Sequence, residues 1–167
     1  MTDFTIEPFG RKRHGDFSCG NQALDRYFRE QASQDMKRRT AMCFVAVANP
    51  DDAVAGYYTL SACHFDLSGL DEVWRRRLPR HAEVPAVRLG RLAVDLRFQG
   101  CKLGSGLLAD AIRRAHASDI AAHLMVVDAK DETAAAFYRN HGFLSDPHQP
   151  LLLHQSLARL AEALALH

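Results

Sequence analysis

At 167 residues, with 47% apolar and 25% charged side chains, the chain has the size and profile of one globular domain, 1–167, with room for a real core. No apolar run approaches membrane-spanning length, and Met1 to Phe9 carries Asp3 and Glu7 without an apolar signal core, so a cytoplasmic protein is expected rather than a secreted or membrane one. Cys19, Cys43, Cys63 and Cys101 lack metal-like pairing and the nine histidines lack ligand spacing, which argues for reduced thiols and against a metal site. Net charge is only +1, yet Arg11-Lys12-Arg13, Lys37-Arg38-Arg39 and Arg75-Arg76-Arg77 with Arg80 are clustered. Each alone reads as a solvated face; together they suggest a locally positive surface open to a polyanion.

In chain order, Phe4 to Phe9 reads as a first strand stopped near Pro8. Phe17 to Asn21 is a turn, and Asn21 caps a helix carrying Leu24, Tyr27 and Phe28 on one face, continuing after a break through Gln31 to Arg39. Met42 to Ala48 and Val54 to about Phe65 flank the turn Asn49-Pro50-Asp51-Asp52 as a hairpin. A variable segment from Asp66 to Pro85 holds a short helix around Asp71 to Arg77. Val84, Val87, Leu89, Leu92 and Val94 give the next strand, and Leu107, Leu108, Ala111, Ile112 and Ala115 give a helix face from Ser105 to about Ala117. His123 to Val127 is a strand buried on both sides, and Asp131 to Asn140 is a helix with Gly142 at its C′ position. Leu151 to Leu153 is a last strand and a helix follows from Ser156. The order β-α-α-β-β-(α)-β-α-β-α-β-α predicts an α/β fold with a mixed central sheet flanked by helices.

The segment between Asp95 and Ser105 carries the chemistry. Gln99 to Gly104 supplies glycines in a loop that feeds a helix N-terminus, where unpaired N–H groups and the helix dipole favour an anion, above all a phosphate. A plain turn is the alternative. No Gly-Lys-Ser/Thr closes a Walker loop, and the spacing is not that of a dinucleotide fingerprint.

Gln99-Gly100-Cys101-Lys102-Leu103-Gly104, followed by Asp131-x-x-Ala134-x-x-Phe137-Tyr138-x-x-x-Gly142-Phe143, resembles the two signature motifs of the GNAT superfamily of acyl-CoA-dependent N-acyltransferases. The resemblance runs from about residue 4 to 155. It departs at Lys102, where the family has its middle glycine, and at Asp131, where it has asparagine. Phe17-x-Cys19-Gly20-Asn21-x-x-Leu24-Asp25, Gly56-Tyr57-Tyr58-Thr59-Leu60-Ser61 and Pro85-x-x-Arg88-Leu89-Gly90-Arg91-Leu92-Ala93-Val94-Asp95 further resemble the toxin branch of toxin–antitoxin modules. That resemblance implies a GNAT-like fold, acetyl-CoA as cosubstrate with no metal, and the α-amine of aminoacyl-tRNA as acceptor, whose acetylation blocks translation. It also implies a ribbon-helix-helix antitoxin and a homodimer.

By the same resemblance, backbone amides of Leu92, Ala93 and Val94 would hold the pantetheine arm. Gln99, Gly100, Cys101, Lys102, Leu103, Gly104 and Ser105 would hold the pyrophosphate, with Cys101 itself a spectator. Tyr138 would protonate the departing sulfur; the alternative is an aromatic packed in the core. Adjacent helix positions point about 100° apart, which leaves Phe137 for the core and Tyr138 for the cleft. Arg97 reaches a phosphate of the adenosine or is a solvated strand-end arginine, and Asp95 is a base or a turn cap. Lys37, Arg38, Arg77, Arg88 and Arg91 are the candidate tRNA contacts. Other readings of the same residues are a small-molecule or protein N-acetyltransferase and a catalytically weakened CoA-binding regulator.

Overall fold

The computed structural model describes residues 2–10, 15–66, 76 and 83–165. Its strands are β1 (Asp3–Pro8), β2 (Met42–Asn49), β3 (Ala53–Asp66), β4 (Glu83–Val94), β5 (Leu124–Asp128), β6 (Leu144–Ser145) and β7 (Leu152–Ser156). The helices among the described residues are α1 (Gln22–Glu30), α2 (Ala32–Arg38), α3 (Leu103–Ala117), α4 (Glu132–Asn140) and α5 (Leu157–Ala165), with a 3₁₀ turn at Leu96–Phe98. The strands form one sheet in the order β1-β2-β3-β4-β5-β7-β6, with β4 and β5 parallel and the pairs β1·β2, β2·β3, β5·β7 and β6·β7 antiparallel. The mixed sheet expected from the sequence is therefore present. The short helix expected near Asp71 to Arg77 lies outside the described residues apart from Arg76.

The chain divides into two compact units, Met1–Ser61 with Gly90–Ala111 and Ala62–Leu89 with Ile112–His167. In the first, α1 starts where Asn21 accepts the Leu24 N–H at 3.0 Å, a side-chain cap. Its Tyr27 and Phe28 then turn inward against Phe9, Phe17, Cys43, Val45, Tyr57 and Ala93. Phe28 stacks on Tyr57 at 4.6 Å, and Tyr57 satisfies its buried hydroxyl on the Leu24 carbonyl at 2.7 Å. Neighbouring residues of β3 point to opposite sides, as a strand requires: Tyr57 meets α1, whereas Tyr58 reaches Asp110 of α3 at 2.6 Å. The sheet of this unit is thus covered by α1 on one face and by α3 on the other.

Gly56 explains itself by this packing. A Cβ there would stand 2.8 Å from Leu107 Cδ1 and 2.9 Å from the Ala93 carbonyl oxygen, so β3, β4 and α3 approach where only glycine fits.

In the second unit, β5 is buried from Leu124 to Val127, as its continuous apolar run predicted. Phe65, Val84, Ala86, Leu124 and Val126 form its core. The α4 helix ends in a Schellman motif: Gly142, at φ +96°, donates to Arg139, and Phe143 donates to the Tyr138 carbonyl at 3.1 Å while its ring packs on Tyr138. This geometry requires the Tyr-x-x-x-Gly-Phe spacing.

Candidate active site

In the first unit, β4 delivers the chain to the loop. Ala93 is buried against α1, and Leu92 and Val94 are half-buried. Asp95 donates its N–H to the Ala55 carbonyl and then turns the chain. Its carboxylate accepts the Arg97 N–H at 2.8 Å, Arg97 Nε at 2.9 Å and Nη2 at 3.2 Å, and the Ser18 N–H at 3.1 Å. Burial by itself raises its pKa, but the hydrogen bonds from Arg97 and Ser18 outweigh that and hold it below the ordinary carboxylate value. An ionised carboxylate so committed is a turn clamp, which decides between the two roles considered for Asp95. Arg97 is engaged in the same clamp and with Asp16 at 3.6 Å.

The loop then runs through Gly100 at φ +83° and Lys102 at φ +66° into α3. The first helical bond is Gly106 N–H to the Lys102 carbonyl at 3.2 Å, so Lys102 is the N-cap and α3 starts at Leu103, two residues before the expected Ser105. Apolar periodicity could not see this first turn because Gly104 and Ser105 carry no apolar signal. Leu103 is buried and anchors the turn. The N–H groups of Lys102, Leu103, Gly104 and Ser105 precede the first intrahelical bond and are the donors a helix start offers to an anion. A Cβ on Gly100 or Gly106 would meet no atom within 4 Å, so protein packing does not demand glycine there. The space beside the helix start is open, which fits a diphosphate lying against the backbone.

Gln99 donates through Nε2 to the Val94 carbonyl at 3.0 Å and to the Cys19 carbonyl at 3.2 Å. Its side chain thus ties the loop to two other segments. Cys101 is exposed, its thiol directed to the Phe98 carbonyl at 2.7 Å.

The turn that receives these ties is itself braced. Asp25, buried on α1, accepts Ser18 Oγ at 3.0 Å and the Cys19 N–H at 2.9 Å, and Gly20 stands at φ +89°. Sequence reasoning saw the Phe17-x-Cys19-Gly20-Asn21-x-x-Leu24-Asp25 pattern but not its use. Ser18, Cys19 and Asp25 hold the far side of the loop, and the spacing of Asn21 and Asp25 within one helix turn was the available signal.

Tyr138 lies in the second unit, on α4, where Asp131 caps the helix by accepting the Ala134 N–H at 2.8 Å. The two aromatics are placed oppositely to the expectation. Tyr138 is 6% exposed, whereas Phe137 is half-buried with its ring 4.5 Å from His141. The Schellman contact with Phe143 is what draws the Tyr138 ring inward. Burial pushes its phenol pKa upward, so it is protonated throughout the physiological range. Its hydroxyl bonds to no described residue, and the oxygen itself is not fully buried.

The candidate cations separate. Arg88 is ion-paired with Asp128. Lys37 and Arg38 are exposed in the last turn of α2. Arg77 lies outside the described residues. Arg91 is half-buried, its guanidinium carbon 3.5 Å from the centroid of the Tyr27 ring. Among the described residues no group of three or more His, Cys, Asp or Glu could hold a metal ion, and no helix is long and apolar enough to cross a membrane.

Comparison with known proteins gives the following. The model of the acetyltransferase (GNAT) family matches residues 10–143. A tRNA-acetylating toxin of Mycobacterium tuberculosis is 39% identical over 142 residues, 82% of this chain and 81% of its own length. The structure of AtaT complexed with acetyl-methionyl-tRNAfMet superimposes with a TM-score of 0.86 at 26% identity, covering 97% of this chain and 99% of that one. AtaTR bound with acetyl-CoA gives a TM-score of 0.78 at 27% identity, covering 97% and 98%.

Proposed function

This chain belongs to the GNAT family of acetyltransferases, and from that premise we propose that it is a toxin that moves acetyl from acetyl-CoA to the α-amine of aminoacyl-tRNA and so blocks translation. It is an acetyl-CoA-dependent N-acetyltransferase. The donor half rests on the β4 end and the open backbone cradle at the start of α3. The acceptor half rests on one observation, the 39% identity with a relative that acetylates tRNA.

The chemistry follows from the groups present. The amine attacks the thioester carbonyl, a C–N bond forms and the C–S bond breaks; the proton shed by the new amide nitrogen passes to solvent, and the sulfur leaves as a thiolate that takes up a proton to give CoA. The α-amine of an aminoacyl ester is less basic than a lysine amine, so a neutral nucleophile is available without a strong base. Leu92, Ala93 and Val94 align the thioester through their backbone. Gly100 to Ser105 hold the diphosphate, with the Lys102 ammonium adding charge and Gln99 keeping the loop in place. Tyr138 acts as the acid by donating a hydrogen bond from its phenol to the leaving sulfur. A buried phenol is a weak acid, so its contribution is a hydrogen bond that strengthens as charge grows on sulfur, and it is never lost by ionisation near neutral pH. The whole chain acts as one acetyltransferase domain in the cytoplasm, as a homodimer silenced by a ribbon-helix-helix antitoxin.

Incubation with radiolabelled acetyl-CoA and bulk charged tRNA tests the reading. Label recovered as N-acetyl-aminoacyl-tRNA is expected. Transfer only to free small amines or to proteins, or tight acetyl-CoA binding without transfer, would overturn it.

A further inference from the structure

Arg91 differs from Arg88 and Arg97 in how it is held. Arg88 pairs with Asp128, and Arg97 pairs with Asp95 and Asp16. Arg91 is half-buried and lies flat on Tyr27, yet among the described residues it has no ion pair and no hydrogen bond. Its platform is fixed. Tyr27 is 5% exposed, and its hydroxyl donates to Asp35 at 2.7 Å. The nearest carboxylate on α2 is thereby engaged with the tyrosine and not with the guanidinium. Burial, together with the Asp35 hydrogen bond, pushes the Tyr27 phenol pKa upward, so the ring stays neutral. Beneath, Cys43 is buried, and desolvation pushes its thiol up to about 12, so it provides no counter-charge.

A planar cation with one face on an aromatic ring and five donors at its edge is shaped to grip a phosphate. Two phosphates are available in the reaction, those of CoA and those of tRNA. Position separates them. Arg91 shares the face of β4 that carries Ala93, against α1, whereas the open helix start belongs to α3, which covers the opposite face through Tyr58 and Leu107. The α2 helix that supplies Asp35 also carries Lys37 and Arg38 in its exposed last turn, so cationic side chains recur on the Arg91 side.

We propose that Arg91, held flat on Tyr27, binds a backbone phosphate of the tRNA acceptor end and is the polynucleotide-specific contact of the site. This rests on aminoacyl-tRNA being the acceptor, as inferred above.

Arg91→Gln removes the charge at similar length, and Arg91→Lys keeps the charge without the planar stack. With charged tRNA varied, Arg91→Gln should raise KM by roughly ten- to a hundredfold, the loss of one charged hydrogen-bonding contact. The slope of log KM against log salt should fall by about 0.7, one single-strand phosphate contact. Arg91→Lys should raise KM by less and keep the wild-type slope, which a purely structural arginine would not do. Acetyl-CoA affinity, measured by calorimetry, should stay within about twofold in both, and melting temperature monitors folding. If Arg91→Gln unfolds, the decision falls to Arg91→Lys: a raised KM with an unchanged slope supports the assignment. An unchanged tRNA KM and slope in a folded variant, or a loss confined to acetyl-CoA binding, overturns it while the wild-type activity stands. A wild-type protein unable to acetylate charged tRNA removes the acceptor reading and this inference with it.

Discussion

Replacing Lys102 by glycine separates backbone from charge at the one loop residue that departs from the family pattern. Lys102 stands at φ +66° in the N-cap position of α3. Left-handed backbone costs a non-glycine residue roughly 1–2 kcal/mol. Glycine relieves that strain but gives back roughly 0.5–1 kcal/mol through the greater freedom of the unfolded chain. Lys102→Gly should therefore be more stable by about 0.5 kcal/mol, or about 1–2 °C in Tm for a chain of this size. Lys102→Gln keeps the strain and removes the ammonium, so its Tm should not rise. The lysine head is exposed, and one such charge beside a phosphate is worth about two- to fivefold in affinity. Both variants should lose that much acetyl-CoA binding in calorimetry, the glycine variant no more than the glutamine one. Gly104→Leu should lose more than either, because a side chain in the first helical turn stands among the N–H groups proposed above to hold the diphosphate. A Lys102→Gly protein that melts below wild type, or one that loses acetyl-CoA while Lys102→Gln does not, would refute the assignment of strain to the backbone.

Three further outcomes follow. Tyr138→Phe should leave acetyl-CoA affinity and Tm nearly intact, since no described residue partners the hydroxyl, while kcat falls by about a hundredfold or more; an unchanged kcat in steady-state assays removes the acid role. Because the folded phenol titrates above its usual value, wild-type kcat should show no falling limb from this group between about pH 6 and 9. Asp95 has its folded pKa below the ordinary 3.8, so its contribution is complete above that value and is lost as pH falls through the lower folded pKa. Asp95→Asn, discounted for the half-exposed Arg97 partner, should cost about 2 kcal/mol at pH 7 and less near pH 3, read as the gap between urea midpoints of variant and wild type. A gap that widens on acidification contradicts the clamp. Gly56→Ala drives a methyl against the Ala93 carbonyl oxygen, at a cost of about 1–3 kcal/mol and roughly 3–9 °C in Tm; a wild-type Tm would show that the three elements yield.

Most strands were legible because their apolar runs are long enough for a period to register. The β6 strand was not, since Leu144–Ser145 has only two residues, one of them exposed. The helix boundary at Leu103 and the burial of Tyr138 were misjudged for a common reason. Periodicity gives the face of a helix only where apolar residues dominate, and it cannot say which of two adjacent aromatics a neighbouring turn will draw inward. Here the Schellman turn at Gly142 and Phe143 makes that choice. The loop from Gln99 to Gly104 was visible as a motif, but its supports were not: Ser18 to Asp95 and Cys19 to Gln99 join positions 77 and 80 residues apart. The placement of Arg91 on Tyr27 was equally out of reach, because nothing in either local pattern refers to the other.

Those distant ties also account for a lysine where the family has glycine. A loop held only by its own backbone preferences would shed a left-handed lysine by refolding its turn. This loop is held from outside, by Asp95 on Arg97 and Ser18, by Gln99 on Val94 and Cys19, and by Asp25 beneath them. Each such bond contributes about 1 kcal/mol, so together they exceed the roughly 1–2 kcal/mol that the left-handed conformation costs. The positive φ is thus a demand of the fold, and glycine is only its least costly occupant. With the conformation secured by the clamps, the position is free to carry a positive charge to the start of α3, where the diphosphate is proposed to lie.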